Sequence, residues 1–241
     1  KIQNGIKQKF NENSQLIDRI DWNDSNGYVL YAMLKKEFNF LEPFSTAMGS
    51  MTFNNSETRV KCFGVDSSNN SIASKNVVIL FYNSEADFAI KLKTKEGEEV
   101  ILYKTTGEDK SFEENYEEIK EKQSRYAGKT TFGKEDMLRV PFIKVNDEIN
   151  YDELCGREIK NSKYYIKQAL QTIDFELNNV GGSVKSEAVI DSTQKVWTEK
   201  PRKMIFDSDF ILYLKEENKD QPYFALKVDN TEVLVPDNVE E

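Results

Sequence analysis

The feature that most constrains the fold of this chain is a long succession of short apolar or alternating segments separated by polar turns. Residues 77–82 are almost wholly apolar, as expected for a strand buried on both faces, and so are residues 28–34. Residues 87–94 alternate apolar and polar side chains, which turns Phe88, Ile90 and Leu92 inward. Further strands are predicted at residues 100–103, 137–145, 173–177, 204–214 and 223–228, with short ones marked by Phe44, Phe53 and Val60. Pro141 is expected at a sheet edge or strand start, because proline cannot donate a ladder hydrogen bond.

Helical periodicity is confined to two segments, residues 2–17 and residues 111–123. The second segment has the clearer pattern, in which Ser111 is an N-cap and Glu114 completes a capping box. Its apolar face is formed by Phe112, Tyr116 and Ile119. Because strands outnumber helices, the sequence predicts an α+β fold with large antiparallel sheets.

Charge and residue types exclude several classes of protein. With 33 Lys and Arg against 42 Asp and Glu, the formal net charge is -9, which argues against a nucleic-acid partner. No apolar run approaches the ~20 residues that cross a bilayer, so no membrane partner is expected. The chain contains no histidine, which removes Ser-His-Asp and Cys-His nucleophiles and histidine-containing zinc sites. We therefore predict that the protein is not an enzyme and has no metal and no cofactor.

Cysteines and glycosylation motifs bear on the compartment. Cys62 and Cys155 lie far apart and lack metal-ligand spacing, so they are either two separate half-buried thiols or one disulfide. Asn-X-Ser motifs begin at Asn23, Asn54 and Asn69, each among polar turn residues where a glycan could attach. These motifs favour a secreted, extracellular glycoprotein. Because the chain opens at Lys1 without an initiator methionine or a hydrophobic leader, we expect a processed or partial product.

One stretch carries a more specific pattern. Residues 175–182 read Phe-Glu-Leu-Asn-Asn-Val-Gly-Gly, which is similar to the IEVNEEGT stretch that leads into the mobile reactive loop of serpins. In the same order as in that family, further segments are similar to VNAIYFKG at residues 29–35, LPKFKI at 140–145, YDLKEVL at 151–154 and LFMGKV at 223–228. In the order of its segments, the chain resembles the serpin family from its mid-point to its C-terminus.

The resemblance implies a fold and a function. It implies a single serpin-like α+β domain over residues 1–241, with large antiparallel and mixed sheets, packed helices and an exposed reactive loop at about residues 181–202. The N-terminal helical block of the family is absent from this sequence, so it lies outside the sequence, is on another chain or is lost. If it is on another chain, that part of the fold is an expected partner. The implied function is protease inhibition, in which a protease cleaves the loop and the cut loop inserts as a new strand into the central sheet.

The residues of the predicted loop suit such an insertion. Gly181 and Gly182 supply a hinge, since glycine adopts backbone angles that other residues avoid. With the period of two of a strand, the uncharged face consists of Gly182, Val184, Ser186, Ala188 and Ile190, and the charged residues lie on the other face. The uncharged face could be buried without stranding a charge, which would cost several kcal/mol. An ordinary half-buried strand would show the same alternation.

The spacing of the family from the hinge places the reactive bond between Lys195 and Val196. Lys195 would then be the bait for a trypsin-like protease, whose specificity pocket holds a carboxylate. Lys200 and Arg202 are alternative baits, and an ordinary surface lysine at position 195 is a further alternative.

Departures from the family pattern leave two other functions open. In the family, an Asn and a His help the central sheet to open and reclose, and we call this pair the shutter pattern. Leu30 stands where the family typically has that Asn, and Gln171 stands where it typically has that His. Gly182 replaces the usual Thr, and Asn179 and Val180 replace a pair of acids. One alternative is therefore a non-inhibitory serpin-fold protein used for binding, transport or storage. The other is an unrelated secreted α+β interaction module.

Overall fold

The computed structural model describes residues 23–36, 39–68, 72–107, 109–181 and 200–238, and these form two compact units. The smaller unit contains the described residues up to Lys36 and from Val145 to Phe175, and the larger unit contains the others. The helix predicted at residues 2–17 lies outside the described residues. That residues 1–241 form a single domain stays a prediction.

Strands dominate the described residues. The strands are β1 (Gly27–Lys36), β2 (Ser50–Thr52), β3 (Arg59–Val65), β4 (Val77–Ser84), β5 (Asp87–Lys93), β6 (Glu98–Lys104), β7 (Met137–Pro141), β8 (Ile143–Asn150), β9 (Tyr165–Leu177), β10 (Lys203–Ile205), β11 (Phe210–Glu216) and β12 (Phe224–Val228). The α-helix, α1, covers Phe112–Arg125, and short 3-10 turns cover Ile72–Asn76 and Asp152–Leu154. This content confirms the predicted α+β class.

A three-stranded sheet has the order β1-β9-β8, with β1 parallel to β9. The pairing runs from Gly27 opposite Tyr165 to Lys36 opposite Phe175. The prediction that residues 28–34 are buried on both faces is wrong, because Tyr28 and Leu30 are 47% and 45% exposed. The face that carries these two side chains is only half covered by the described part of the chain.

The larger unit contains a four-stranded mixed sheet, β10-β7-β3-β2, and a five-stranded antiparallel sheet, β12-β11-β6-β5-β4. β6 is buried along its whole length, since β5 and β11 flank it. Tyr116 and Ile119 of α1 pack into a buried cluster with Phe81, Tyr103 and Tyr213 of the five-stranded sheet. Full burial of one large apolar side chain contributes about 1.5–3 kcal/mol, so this cluster fixes α1 on the sheet.

Most of the strand predictions are confirmed. Residues 77–82, 87–94 and 100–103 correspond to β4, β5 and β6. The three inward side chains predicted for β5 are fully buried, namely Phe88, Ile90 and Leu92. The alternating residues 173–177 form the end of β9.

The helix prediction is also confirmed, with one correction. The Ser111 side chain accepts a hydrogen bond from the Glu114 backbone, and the Glu114 carboxylate accepts one from the Ser111 backbone at 2.9 Å. Tyr116 and Ile119 are buried as predicted, whereas Phe112 is 45% exposed. Phe112 is the first residue of the helix, so it extends past the edge of the buried cluster.

Two predictions near the sheet ends are wrong. Residues 204–214 are divided between β10 and β11, which belong to different sheets, and the polar run at residues 207–209 separates them. Pro141 is at neither a sheet edge nor a strand start, because it ends β7, which lies between β10 and β3. β10 pairs with β7 only as far as Arg139, so the missing amide of Pro141 leaves no bond to β10 unmade.

Candidate functional site

The predicted reactive loop lies between the end of β9 and the start of β10. Gly181 is within the described residues, whereas the rest of the predicted hinge and inserting face lies outside them: Gly182, Val184, Ser186, Ala188 and Ile190. The predicted reactive bond, Lys195 to Val196, also lies outside them. The structure therefore describes the two ends of this segment. We call residues 178–181 the hinge anchor and residues 200–203 the exit anchor, and both belong to the larger unit.

The hinge anchor is a tight reversal of the chain. The Asn178 backbone nitrogen donates to the Gly181 oxygen at 3.0 Å, and the Gly181 nitrogen donates back to the Asn178 oxygen at 3.3 Å. The Asn178 side-chain oxygen accepts further bonds from the backbone nitrogens of Val180 and Gly181 at 2.9 and 3.2 Å. Gly181 has a φ of 123°, which a residue with a Cβ rarely adopts. The hinge anchor thus forms a closed turn directly after β9.

Two buried aromatic residues hold this reversal in place. The Phe40 nitrogen donates to the Val180 oxygen at 2.9 Å, and the Phe44 nitrogen donates to the Asn179 oxygen at 2.8 Å. Phe40 and Phe44 are 0% and 3% exposed, and their rings meet edge to face at 4.9 Å. The hinge anchor is therefore bonded to a segment that the core itself fixes.

Asn39, the neighbour of Phe40, forms an antiparallel bridge with Gly181. The turn between β5 and β6 holds Asn39 as well: the Lys95 nitrogen donates to the Asn39 oxygen at 2.8 Å. The Glu96 carboxylate accepts hydrogen bonds from the backbone and side-chain nitrogens of Asn39 at 2.7 and 3.0 Å. Partial burial raises the pKa of Glu96, but the two bonds from Asn39 outweigh it, so this pKa lies below its ordinary value.

The exit anchor is centred on Arg202. Its Nη2 lies 2.7 Å from Asp136 Oδ2, and its backbone nitrogen donates to Asp136 Oδ1 at 2.9 Å. The Met137 nitrogen, at the start of β7, donates to the Arg202 oxygen at 2.9 Å. The side chains of Arg202 and Asp136 are only 12% and 6% exposed. A charge pair as buried as this one needs both partners, since either alone would be a desolvated ion.

The remaining donors of Arg202 are also occupied. They bond to Thr131 O at 2.8 Å, to Tyr126 Oη at 3.3 Å and to Lys129 O. The alternative of Arg202 as the bait is therefore wrong, because a protease pocket cannot accept a guanidinium that is buried and fully bonded. Lys200 is exposed and stays an alternative bait.

Sequence reasoning missed two residues of this site. Glu96 is 57 positions from Asn39, and Asp136 is 66 positions from Arg202, so no local pattern joins either pair. The hinge anchor had a local signal, because Asn followed three residues later by Gly is typical of a tight turn.

The two departures from the shutter pattern lie close together on the paired strands β1 and β9. Ala32, two residues after Leu30, is opposite Gln171. The Gln171 side-chain oxygen accepts a hydrogen bond from the Tyr151 hydroxyl at 2.5 Å. A Tyr–Gln contact thus stands at the position that the family pattern gives to His.

A second candidate site is a cavity of about 320 Å³ where α1 begins. Its apolar lining includes Tyr103, Phe112 and Phe210, and its charged lining residues are Asp109, Lys110, Asp209 and Lys227. Lys227 Nζ lies 3.0 Å from Asp109 Oδ1. Apolar walls with a few charged groups are typical of small-molecule sites.

Both cysteines are free thiols, so the disulfide alternative is wrong. Cys62 is buried, which raises the pKa of its thiol, and its Sγ donates to Gly49 O at 3.0 Å. Within the described ranges, no group of Cys, Asp and Glu side chains could hold a metal ion. No helix in the described part of the chain is long and apolar enough to span a bilayer.

The three glycosylation motifs differ in their surroundings. Asn23 is exposed, and Asn69 lies outside the described residues. The nitrogen of Asn54 to which a glycan would attach donates to Asp209 Oδ1 at 2.6 Å and to Asp229 O at 2.8 Å. Glycosylation at these sites stays a prediction, and at Asn54 it would replace two hydrogen bonds.

Solved structures share the fold of this chain. Serpin48 of the insect Tenebrio molitor matches with a TM-score of 0.59 and 14% identity, over 94% of this chain and 63% of that one. Mouse protein-Z dependent protease inhibitor matches with a TM-score of 0.61 and 14% identity, over 94% and 60%. Human thyroxine-binding globulin, in complex with thyroxine, matches with a TM-score of 0.62 and 11% identity, over 95% and 63%. No protein-family model and no curated protein sequence matches the chain.

These comparisons show that the chain has a divergent serpin fold, as the sequence resemblance predicted. They contradict the alternative of an unrelated α+β interaction module. The chain spans 60–63% of the length of these three neighbours. Among them, the fold occurs both in a protein named as a protease inhibitor and in a protein bound to thyroxine.

Proposed function

We propose that the protein inhibits a protease by cleavage of its reactive loop, at about residues 181–202, and insertion of that loop into the central β1-β9-β8 sheet. One observation carries the proposal. The hinge anchor already turns the chain back, with Gly181 bonded to Asn178 on one side and bridged to Asn39 on the other. A strand that continues from Gly181 in this direction would run antiparallel to β9.

The described strands are suited to receive such a strand. β1 and β9 are parallel neighbours, so one strand placed between them would run antiparallel to both. β1 has 10 residues, and residues 182–191 of the loop match it in length. Alternate positions from Gly182 to Ile190 carry no charge and would form the face that becomes buried.

The bonded state of Arg202 supports Lys195 as the bait, with Val196 after the cut bond and Lys200 as the alternative. The partner would then be a trypsin-like protease, since its pocket holds a carboxylate for a basic side chain. The Asn-X-Ser motifs favour an extracellular location, so the protein would be secreted and would carry glycans at sites such as Asn23. It would catalyse no reaction itself.

A gel assay tests this function. Trypsin-like proteases should form a complex with the full chain that survives boiling in detergent, because the cut loop traps the protease covalently. Lys195→Ala should abolish the complex, and the matched Lys200→Ala should retain it. A nicked protein beside fully active protease, with no high-mass band, would show a substrate instead of an inhibitor.

A second candidate function is the binding of a small aromatic molecule, and the cavity at the start of α1 favours it. The neighbour bound to thyroxine shows that a protein with this fold can hold such a ligand. Phe112, which is 45% exposed, would contact its rings, and Lys227 would face its charged group. Titration with thyroxine, followed by tyrosine and tryptophan fluorescence, should saturate in the wild type and weaken in Lys227→Ala. Equal binding by Lys200→Ala and Lys227→Ala would place the ligand elsewhere.

A further inference from the structure

We propose that Glu96 is a positioning residue for loop insertion, acting through Asn39 on the hinge anchor. This inference rests on the proposed function. It assigns to an exposed turn residue, remote from the loop in sequence, control over how fast the cut loop inserts.

Asn39 lies at the centre of a short ladder of backbone segments. On one side, Phe40 bridges Thr94 and the Asn39 oxygen accepts from Lys95. On the other side, Asn39 bridges Gly181, which is itself bonded to Asn178. The turn between β5 and β6, the Asn39 segment and the hinge anchor are therefore joined edge to edge.

The turn that carries Glu96 is rigid. The Thr94 hydroxyl donates to Glu98 O at 2.8 Å and accepts from the Glu98 nitrogen at 2.8 Å, and Thr94 is buried. Gly97 has a φ of 80°, which allows the turn to close. Glu96 thus projects from a fixed turn, and its two carboxylate oxygens hold both nitrogens of Asn39.

This arrangement fixes the segment to which the hinge is bonded. The backbone nitrogen and oxygen of Asn39 are both bonded to the turn between β5 and β6, and the next residue, Phe40, donates its backbone nitrogen to the Val180 oxygen of the hinge anchor. An inserting strand would start from the position that this segment sets for Gly181. With Glu96 present, Asn39 is ordered before the loop is cut. Without it, the ordering of Asn39 would have to occur during insertion, and the conformational entropy of that step would slow it.

The chain offers a matched control. Glu85 and Glu96 are both exposed, and they lie in the turns before and after the same strand, β5. Glu85 pairs with Lys203, the last residue of the exit anchor, with its carboxylate 3.5 Å from the lysine nitrogen. Both side chains are more than half exposed, so loss of this pair should have little effect, and Glu85 has no hydrogen bond to Asn39 in the described structure. Removal of either carboxylate changes the net charge equally, but only Glu96 should affect the hinge.

The experiment measures insertion directly. The full-length wild type, Glu96→Ala, Glu96→Gln and Glu85→Ala are nicked in the loop with a limiting amount of a broad-specificity protease. The rise in heat resistance is then followed over time. We expect Glu96→Ala to slow this rise about fivefold, as for the loss of roughly one net hydrogen bond. Glu85→Ala should match the wild type. Glu96→Gln should fall between Glu96→Ala and the wild type, because its amide oxygen can still accept from the Asn39 backbone, whereas its amide nitrogen cannot accept from the Asn39 side chain.

The outcomes separate this inference from the proposed function. Uncut variants are first compared by thermal unfolding, so that a folding defect in Glu96→Ala is seen independently. If the wild type gains no heat resistance after the cut, the proposed function fails and the inference falls with it. If the wild type gains it and Glu96→Ala is as fast as Glu85→Ala, the proposed function stands and the role of Glu96 is refuted. A Glu96→Gln variant as slow as Glu96→Ala would refute the hydrogen-bonding explanation.

Discussion

In the larger unit, Gly64 occupies a position at which the neighbouring backbone leaves no room for a side chain. Gly64 of β3 lies opposite Arg139 of β7, and its backbone nitrogen and oxygen both bond to Ser45 on the other side. A Cβ built on Gly64 would lie 1.8 Å from the Leu138 oxygen. Because β3 and β7 are paired from Cys62 opposite Pro141 to Val65 opposite Leu138, β7 cannot move away from Gly64 without disturbing that ladder.

Gly64→Ala is expected to destabilise the protein by about 1–3 kcal/mol or more, through steric overlap with a fixed backbone. Urea unfolding followed by fluorescence measures the change. Gly107→Ala is the control, since its Cβ would meet only the Thr105 hydroxyl at 3.3 Å. That variant should stay within about 0.5 kcal/mol of the wild type. Equal losses in the two variants would contradict the steric explanation.

The exit anchor gives a second prediction at this scale. Asp136→Ala leaves the Arg202 guanidinium buried without its carboxylate, which should cost about 3–5 kcal/mol. The control is Glu121→Ala, which removes an exposed helix pair with Arg125 and should cost about 0.3–0.5 kcal/mol. If Asp136→Ala lowered the free energy of unfolding no more than Glu121→Ala does, water would be able to replace Asp136 as a partner of the Arg202 guanidinium.

Between elements, charged side chains connect α1 to the five-stranded sheet. Lys122 Nζ lies 2.8 Å from both Glu118 and Asp87, and 3.1 Å from the Tyr103 hydroxyl. Glu118 also accepts from Lys110 at 2.8 Å. Partial burial raises the pKa of Glu118, but the hydrogen bonds from the two lysines outweigh it and lower the pKa to about 2 from 4.5.

The lowered pKa of Glu118 gives a pH-dependent stability. Its contribution should be complete above pH about 4.5 and should be lost as the pH falls toward 2, because the unfolded carboxyl binds its proton first. Urea midpoints of the wild type and Glu118→Gln should therefore differ at neutral pH and converge in acid. Glu113→Gln, on the same helix, should give a curve parallel to that of the wild type. A constant difference between wild type and Glu118→Gln down to pH about 3 would contradict the assignment.

Elements with regular periodicity could be predicted from the sequence, and elements defined by distant partners could not. β4, β5 and β6 follow from apolar runs and alternation, and α1 follows from its capping box. The division of residues 204–214 was missed because Phe206, although buried, lies between strands of two different sheets. The hinge at Gly181 was predictable from local glycines, whereas Glu96 and Asp136 become part of the site only through the tertiary fold.

For the whole molecule, the decisive question is whether the β1-β9-β8 sheet accepts a new strand. A cut near Lys195 by a non-target protease should raise the melting temperature by tens of degrees, on the order expected from stability scaling. Leu30 and Gln171 should make this gain smaller than in a chain with the full shutter pattern. An unchanged or lower melting temperature would favour the non-inhibitory alternative.

Neighbouring residues of the predicted inserting strand lie on opposite faces, so they supply two matched variants for the melting-temperature measurement. Gly182→Arg places a charge on the face that insertion would bury, so the gain in melting temperature should disappear. Ser183→Arg places the same charge on the opposite face, so the gain should remain. Equal behaviour of the two variants would show that the inserting face is assigned wrongly.

The position of β11 has a consequence for a chain that is divided into two fragments at the predicted loop. β11 lies between β6 and β12, and its side chains Phe210, Leu212 and Tyr213 are buried. β11 and β12 therefore complete a sheet whose other three strands, β4, β5 and β6, precede the predicted loop. The loop is thus a natural split point: two separately expressed halves should each be insoluble or unfolded alone, and should reassemble when mixed. The bond that a protease would cleave would then also be the point at which two separate fragments can reassemble into the folded protein.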